Sequence, residues 1–262
     1  MSTRKKPINS RYFRNLARAF RPRAILCVAL LLLVSLFTAA PVMAQDDEQD
    51  EPTPAPDYRF GLVEAFWTPA ESAELNVGWE RILFYWREIQ PQKADDWNTL
   101  HVLEEWLQEA RVQNRRVMGV LKNTPAWATD ADSEAGLPRG LYLPVDDPQN
   151  LWANYVRRIA EYYAPLGVHD WVIWNEPDID RGVYGFEFDG TTADYVQLLK
   201  VASIVIKEVD PEAKIHLAGM TYWHDQTYLE RLLRVLVEEP DAAEHDYYFD
   251  MVSLHIYFRS ES

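Results

Sequence analysis

Between Arg59 and His255 the chain alternates short apolar runs with longer stretches whose apolar residues recur every three or four positions. The short runs are Arg59–Ala65, Gly78–Phe84, Arg116–Leu121, Asp170–Trp174, Lys214–Ala218 and Phe249–His255. Each has the length and composition of a strand buried on both faces. The periodic stretches predict helices. Trp97–Val112 carries Leu100, Leu103, Leu107 and Ala110, and Pro148–Tyr163 carries Leu151, Tyr155, Ile159 and Tyr162. Thr191–Val209 opens on a Thr suited to capping and carries Tyr195, Leu198, Leu199, Ala202 and Val205, while Gln226–Val237 carries Leu229, Leu232, Leu233 and Leu236. The first connection, Pro69–Asn76, has room for only a short helix. Strands alternating with helices of this length predict an α/β chain with a parallel sheet and crossover helices.

Two architectures fit that alternation, a doubly wound sheet and a closed barrel. No glycine-rich phosphate loop follows the first strand, where a nucleotide-binding doubly wound fold would carry one. Polar and aromatic residues gather instead at the carboxyl ends of the runs: Glu64 and Trp67, Tyr85 and Trp86, Lys122 and Trp127, Asn175 and Glu176, Tyr222 and Trp223, His255 and Tyr257. A barrel collects those ends around one mouth, where its active site lies. The expected fold is therefore a (β/α)8 TIM-barrel type, incomplete, with about six βα units. A full barrel needs roughly 60–100 further residues, so the expectation is a part of a longer chain.

The N-terminal region has a different pattern. Residues 1–23 hold eight Lys/Arg and no acid, an apolar run follows from Ala24 to Ala40, and Val42-Met43-Ala44 precedes an acidic stretch. These are the parts of a secretory signal, and the apolar run is also long enough for a retained membrane anchor. Both alternatives make the protein exported, secreted or extracytoplasmic, with that anchor as its one route to a membrane. Residues 45–57 (QDDEQDEPTPAPD) read as a solvated linker, and residues 58–262 as one barrel domain.

Charge narrows the partners. The chain has 26 Lys/Arg against 41 Asp/Glu, and loss of residues 1–44 leaves 18 against 41, a formal charge of −23. A surface this acidic excludes a nucleic-acid partner, which needs basic patches. The one cysteine, Cys27, lies in the signal, so the remainder has no thiol nucleophile. The six histidines lack metal-ligand spacing such as H-E-x-x-H, and neither a metal nor a cofactor is expected.

The strongest chemical signal is Trp171-Val172-Ile173-Trp174-Asn175-Glu176-Pro177-Asp178. An apolar strand delivers Asn175 and Glu176 to its carboxyl end, and Pro177, which cannot donate to a ladder, stops it there. A carboxyl among aromatic rings is partly desolvated and holds its proton to higher pH. Glycosidic cleavage needs that proton on the leaving oxygen. The bare three-residue match also fits a turn that merely ends a strand.

The longer pattern resembles the clan A glycoside hydrolases, retaining enzymes on (β/α)8 barrels. In them the fourth strand ends in Asn-Glu, and the resemblance implies a 2-hydroxyl contact for Asn175 and the acid/base role for Glu176. Arg81 resembles their second-strand arginine near the nucleophile. Trp86-Arg87-Glu88-Ile89-Gln90-Pro91 is similar to their W-x-x-I-Q-P turn, and Thr124-Pro125-Ala126-Trp127 to the Pro-x-Trp after strand three. Asp210-Pro211-Glu212-Ala213-Lys214 resembles the lead into strand five, and Asp250 to Tyr257 (DMVSLHIY) strand six. Order and spacing hold from about residue 60 to 258. The nearest look is the family 39 β-xylosidase and α-L-iduronidase branch, or cellulase-like relatives. Such enzymes take their nucleophile, a second Glu, from strand seven, so the resemblance implies a nucleophile beyond residue 262 and an inactive fragment.

The same resemblance implies a hydrogen bond from Tyr257 to that nucleophile. From the residues alone, Arg81 is placed to orient a carboxylate by bidentate bonds or to form a structural ion pair. His255 and Tyr257, two apart, share a strand face and can line the pocket. Trp67, Trp127 and Trp223 offer stacking faces for sugar rings, or simply pack. Glu64 is the only other glutamate expected at the mouth, in a substrate-binding or ion-paired role. A carbohydrate substrate is thus the expected partner. The alternatives from other classes are a carbohydrate-binding pseudoenzyme and a surface-anchored scaffold.

Overall fold

A computed structural model describes residues 55–257. The expected signal or anchor and most of the linker lie outside the described residues. Five parallel strands run in sequential order: β1 (Asp57–Val63), β2 (Val77–Tyr85), β3 (Arg116–Lys122), β4 (Val168–Ile173) and β5 (Lys214–Leu217). They curl into a half-barrel, alternating with helices in the manner of an incomplete (β/α)8 fold. The helices are α1 (Pro69–Glu74), α2 (Trp86–Ile89), α3 (Glu104–Val112), α4 (Leu151–Tyr163), α5 (Thr192–Val209) and α6 (Tyr228–Glu238). None among the described residues is long and apolar enough to cross a membrane.

The expected sixth strand differs. Residues 250–255 follow β5 in parallel but form only the isolated bridges His216–Met251 and Met220–Leu254. The Asp250 and Met251 N–H groups both donate to Ile215 O, and the Asp250 carboxylate takes the Ile215 N–H at 2.8 Å. A side chain thus replaces the first rung, and the backbone bonds that follow, such as Leu217 N to Met251 O at 2.9 Å, do not join into a continuous ladder.

The helix expected from Trp97 begins only at Glu104. Asn98 explains the lost turns: its Oδ1 accepts from Leu100 N at 3.1 Å and its Nδ2 donates to Glu88 O at 3.0 Å. A side chain that bonds nearby backbone competes with the helix ladder. Thr191, in contrast, caps α5 as expected. It forms a full capping box with Asp194, in which each residue's side chain accepts the other's backbone N–H.

Alternation along the strands sorts residues onto two faces. Ile82, Phe84, Leu121, Trp171, Ile173, Ile215 and Leu217 are buried in the core that includes α4 and α5. Phe84 meets Tyr163 and Trp171 edge-on at 4.9 and 5.3 Å. Gly119 makes room for that contact, because a Cβ there would lie 2.6 Å from Trp171. The inner face is polar by comparison. Arg116 donates to Asp170 at 2.7 Å, and His216 Nε2 lies 3.0 Å from the same carboxylate, which ties β3, β4 and β5 together below the mouth.

Candidate active site

The carboxyl ends of the strands turn sharply. Glu64 after β1, Asn123 after β3, and Trp174 and Glu176 after β4 all have positive φ, at 53°, 65°, 72° and 44°. Left-handed backbone at a residue with a side chain costs about 1–2 kcal/mol. It persists where the surroundings over-determine it, as they often do in functional sites.

At Glu176 those surroundings are explicit. Trp174 N donates to Leu121 O at 2.9 Å and Glu176 N to Gly219 O at 3.1 Å, pinning the turn to β3 and to the end of β5. Two residues on, the buried Asp178 carboxylate accepts from Thr221 N, Thr221 Oγ1 and Tyr222 N at 2.7–3.1 Å. The turn and the loop after β5 therefore move as one piece.

The turn aims Glu176 at His255, whose Nδ1 lies 2.7 Å from Glu176 Oε1. The His255 ring lies directly over Gly219, where a Cβ would come within 2.0 Å of Nε2. Arg81 stands on β2 and donates to Asn175 Oδ1 at 2.8 Å. Among the described residues this bond goes to the amide beside the glutamate rather than to a carboxylate. Burial pulls the Arg81 pKa below the ordinary guanidinium value, and the charges of Glu176 and Glu187, then Tyr257 and Tyr85, oppose the shift.

Glu187 is the residue that sequence reasoning missed. Its Oε2 accepts from Asn175 Nδ2 at 2.8 Å and from Lys122 Nζ at 2.5 Å. A row of polar groups, Arg81–Asn175–Glu187–Lys122, therefore crosses the mouth. Burial lowers the Lys122 pKa, and the bond and charge of Glu187 hold it up. Lys122 had a signal, as a lysine ending an apolar strand at the mouth. Glu187 sits between two phenylalanines in the long loop after β4, where no periodicity marks a direction. The expectation that Glu64 is the only other glutamate at the mouth is thereby corrected.

Glu64 itself donates through its backbone to Arg81 O, and its carboxylate accepts from the Trp67 indole at 3.2 Å. It therefore lies one strand away, its carboxylate held by Trp67, with no side-chain bond to the central row among the described residues. Trp67 and Tyr257 are each 72% exposed and Trp223 is 57% exposed. Trp127 is spent on packing: its Nε1 donates to Gln90 O at 2.7 Å and its ring stands edge-on to Trp86. A cavity of about 920 Å³ has none of the row's members in its wall. It lies between the loop after β3 and Asp189, with Arg139, Tyr142 and Leu151 in its wall.

No family model matches the chain, and no curated protein does. Solved structures do. One is a family 39 glycoside hydrolase from the gut symbiont Bacteroides cellulosilyticus WH2, at TM-score 0.52 and 15% identity over 74% of this chain and 37% of that one. The fold is that of an incomplete (β/α)8 barrel, as this likeness shows. A second is the catalytic domain of GH30 xylanase C from Talaromyces cellulolyticus, at TM-score 0.53 and 16% identity over 78% of this chain and 53% of that one. The chain thus spans between about a third and a half of the length of these barrel neighbours. Their likeness speaks for the architecture. The chemistry rests on the residues at the mouth.

Proposed function

We propose that this chain carries the acid/base side of an exported retaining glycosidase that cleaves O-glycosidic bonds in an oligo- or polysaccharide. One observation carries the reading: Glu176 leaves β4 in a left-handed turn and is held by His255, beside an Asn175 amide fixed by Arg81. Glu176 Oε1 is occupied by His255, which leaves Oε2 for the glycosidic oxygen. In the first half-reaction Glu176 gives its proton to that oxygen as the carbon–oxygen bond breaks. In the second its carboxylate takes a proton from the water that releases the sugar.

Asn175 has one amide N–H beyond the bond to Glu187. In this reading that N–H meets the sugar's 2-hydroxyl. The nucleophile is a second glutamate of the strand-seven type, which is not among the described residues. The solved neighbours are glycoside hydrolases, which agrees with the reaction class. Export through residues 1–44 belongs to the same proposal.

The test is stereochemical. The protein encoded by the complete gene, given aryl glycosides and followed by proton NMR, should release a sugar whose first-formed anomer has the substrate's configuration. Release of the opposite anomer would replace double displacement by direct attack of water.

A further inference from the structure

We propose that Lys122 and Glu187 form a hydroxyl-reading pair that selects a neutral pyranosyl residue with two adjacent free hydroxyls at the Glu176 site. The inference rests on the glycosidase reading above and names the part of that site that chooses the sugar.

The pair is built rather than incidental. The Glu187 backbone is fixed on both sides of its side chain: its carbonyl accepts from Trp174 Nε1 at 2.9 Å, Phe188 is buried against Trp174 and Tyr195, and Asp189 N donates to Ala135 O at 2.8 Å. Lys122 ends β3 with its side chain 7% exposed, against 28% for Glu187. Its ammonium also lies 5.7 Å from the Tyr85 ring centre. Sequestering an ammonium and a carboxylate together is a poor way to stabilise a fold, since desolvation offsets most of the attraction. It is a good way to present fixed polar groups to a ligand.

Unused valences point the same way. Both bonds to Glu187 fall on Oε2, which leaves Oε1 without a partner among the described residues. Lys122 has used one of its three N–H donors and Asn175 one of two. An acceptor and three unused N–H donors, two on Lys122 and one on Asn175, therefore meet beside the acid/base turn. A sugar hydroxyl both donates and accepts, so adjacent hydroxyls can satisfy a carboxylate and an ammonium together. The formal charge of Lys122 is balanced by that of Glu187, so the pair itself carries no surplus cation for a uronate or sulfate. The ligand is neutral.

The experiment uses the protein encoded by the complete gene, with methyl β-pyranosides of the gluco, xylo, manno and galacto series as probes. Binding is read by saturation-transfer NMR, then by titration with the monodeoxy forms of the tightest binder. Wild type should lose about tenfold to a hundredfold in affinity when one of two neighbouring hydroxyls is removed, as sites built to bond a hydroxyl do. Glu187→Gln and Lys122→Met should bind the parent sugar weaker by a similar factor and no longer distinguish parent from deoxy form. Lys122→Arg serves if the methionine variant fails to fold, and circular dichroism checks each.

Folded variants that keep the wild-type preference among deoxy sugars would overturn the proposal and leave the pair a structural tie. So would the absence of binding to all four pyranosides, or tighter binding of a uronate than of its neutral parent. Turnover by Glu176→Gln is read separately. If it is undiminished while the deoxy pattern still depends on Glu187, the acid/base reading fails and the hydroxyl-reading pair stands.

Discussion

A methyl group at Gly219 would sit 2.0 Å from His255 Nε2, so this backbone position controls where the His255 ring lies and, through it, where the Glu176 carboxyl is held. Gly219→Ala should lower kcat by about tenfold to a hundredfold through misplacement of the acid. The melting temperature should change little, since the ring it displaces is 22% exposed and lies outside the hydrophobic core. Unchanged kcat in the folded variant would mean that His255 does not position Glu176. The positions of Arg81, Asn175 and Glu176 were legible because Arg81 lies within β2 and the other two just past the end of β4, where the chain direction follows from alternation. Glu187 was not, because a side chain in an aperiodic loop has no direction until the loop is packed. Its partner Lys122 could be placed at the mouth but not assigned a role, since nothing local said which carboxylate would meet it.

Secondary structure followed the same logic. Where a local signal agreed with packing, the element formed as expected, as at Thr191, whose box with Asp194 starts α5. Thr191→Ala should cost about 1 kcal/mol in urea unfolding, the usual worth of such a cap. A cost near zero would show that packing of Tyr195, Leu198 and Leu199 alone sets the start of that helix. Elements were misjudged where a polar side chain competes with the ladder, as Asn98 does before α3 and Asp250 does beside β5.

The join between α5 and the chain after α6 is electrostatic. Lys200 reaches Asp241 at 2.6 Å and Glu239 at 3.1 Å, and its bond to Asp241 is the main cause that lowers that carboxyl from 3.8 to about 2. A carboxyl depressed in the folded state stabilises above its ordinary pKa and loses that contribution as pH falls toward the depressed value. Asp241→Asn should therefore remove a small stabilisation, below about 1 kcal/mol because the pair is solvent-screened, at neutral pH. Its effect should be much smaller near pH 2 and vanish below it. An equal effect at both pH values would assign the loss to packing.

At the scale of the molecule, five strands in sequential parallel order bring residues as far apart as Arg81 and His255 to one mouth, so the candidate site is a product of topology rather than of any one segment. Strand–helix alternation made that topology legible from the sequence. The central claim is that Glu176 supplies the proton for glycosidic cleavage. It is tested most directly by comparing Glu176→Gln with wild type in the protein encoded by the complete gene, on two substrates that share a sugar. One has a poor, alkyl leaving group and the other an activated dinitrophenyl group. An activated leaving group departs without protonation, so the variant should lose about a hundredfold or more in kcat/KM on the alkyl glycoside and far less on the dinitrophenyl glycoside. Equal losses on the two substrates would remove Glu176 from the acid role.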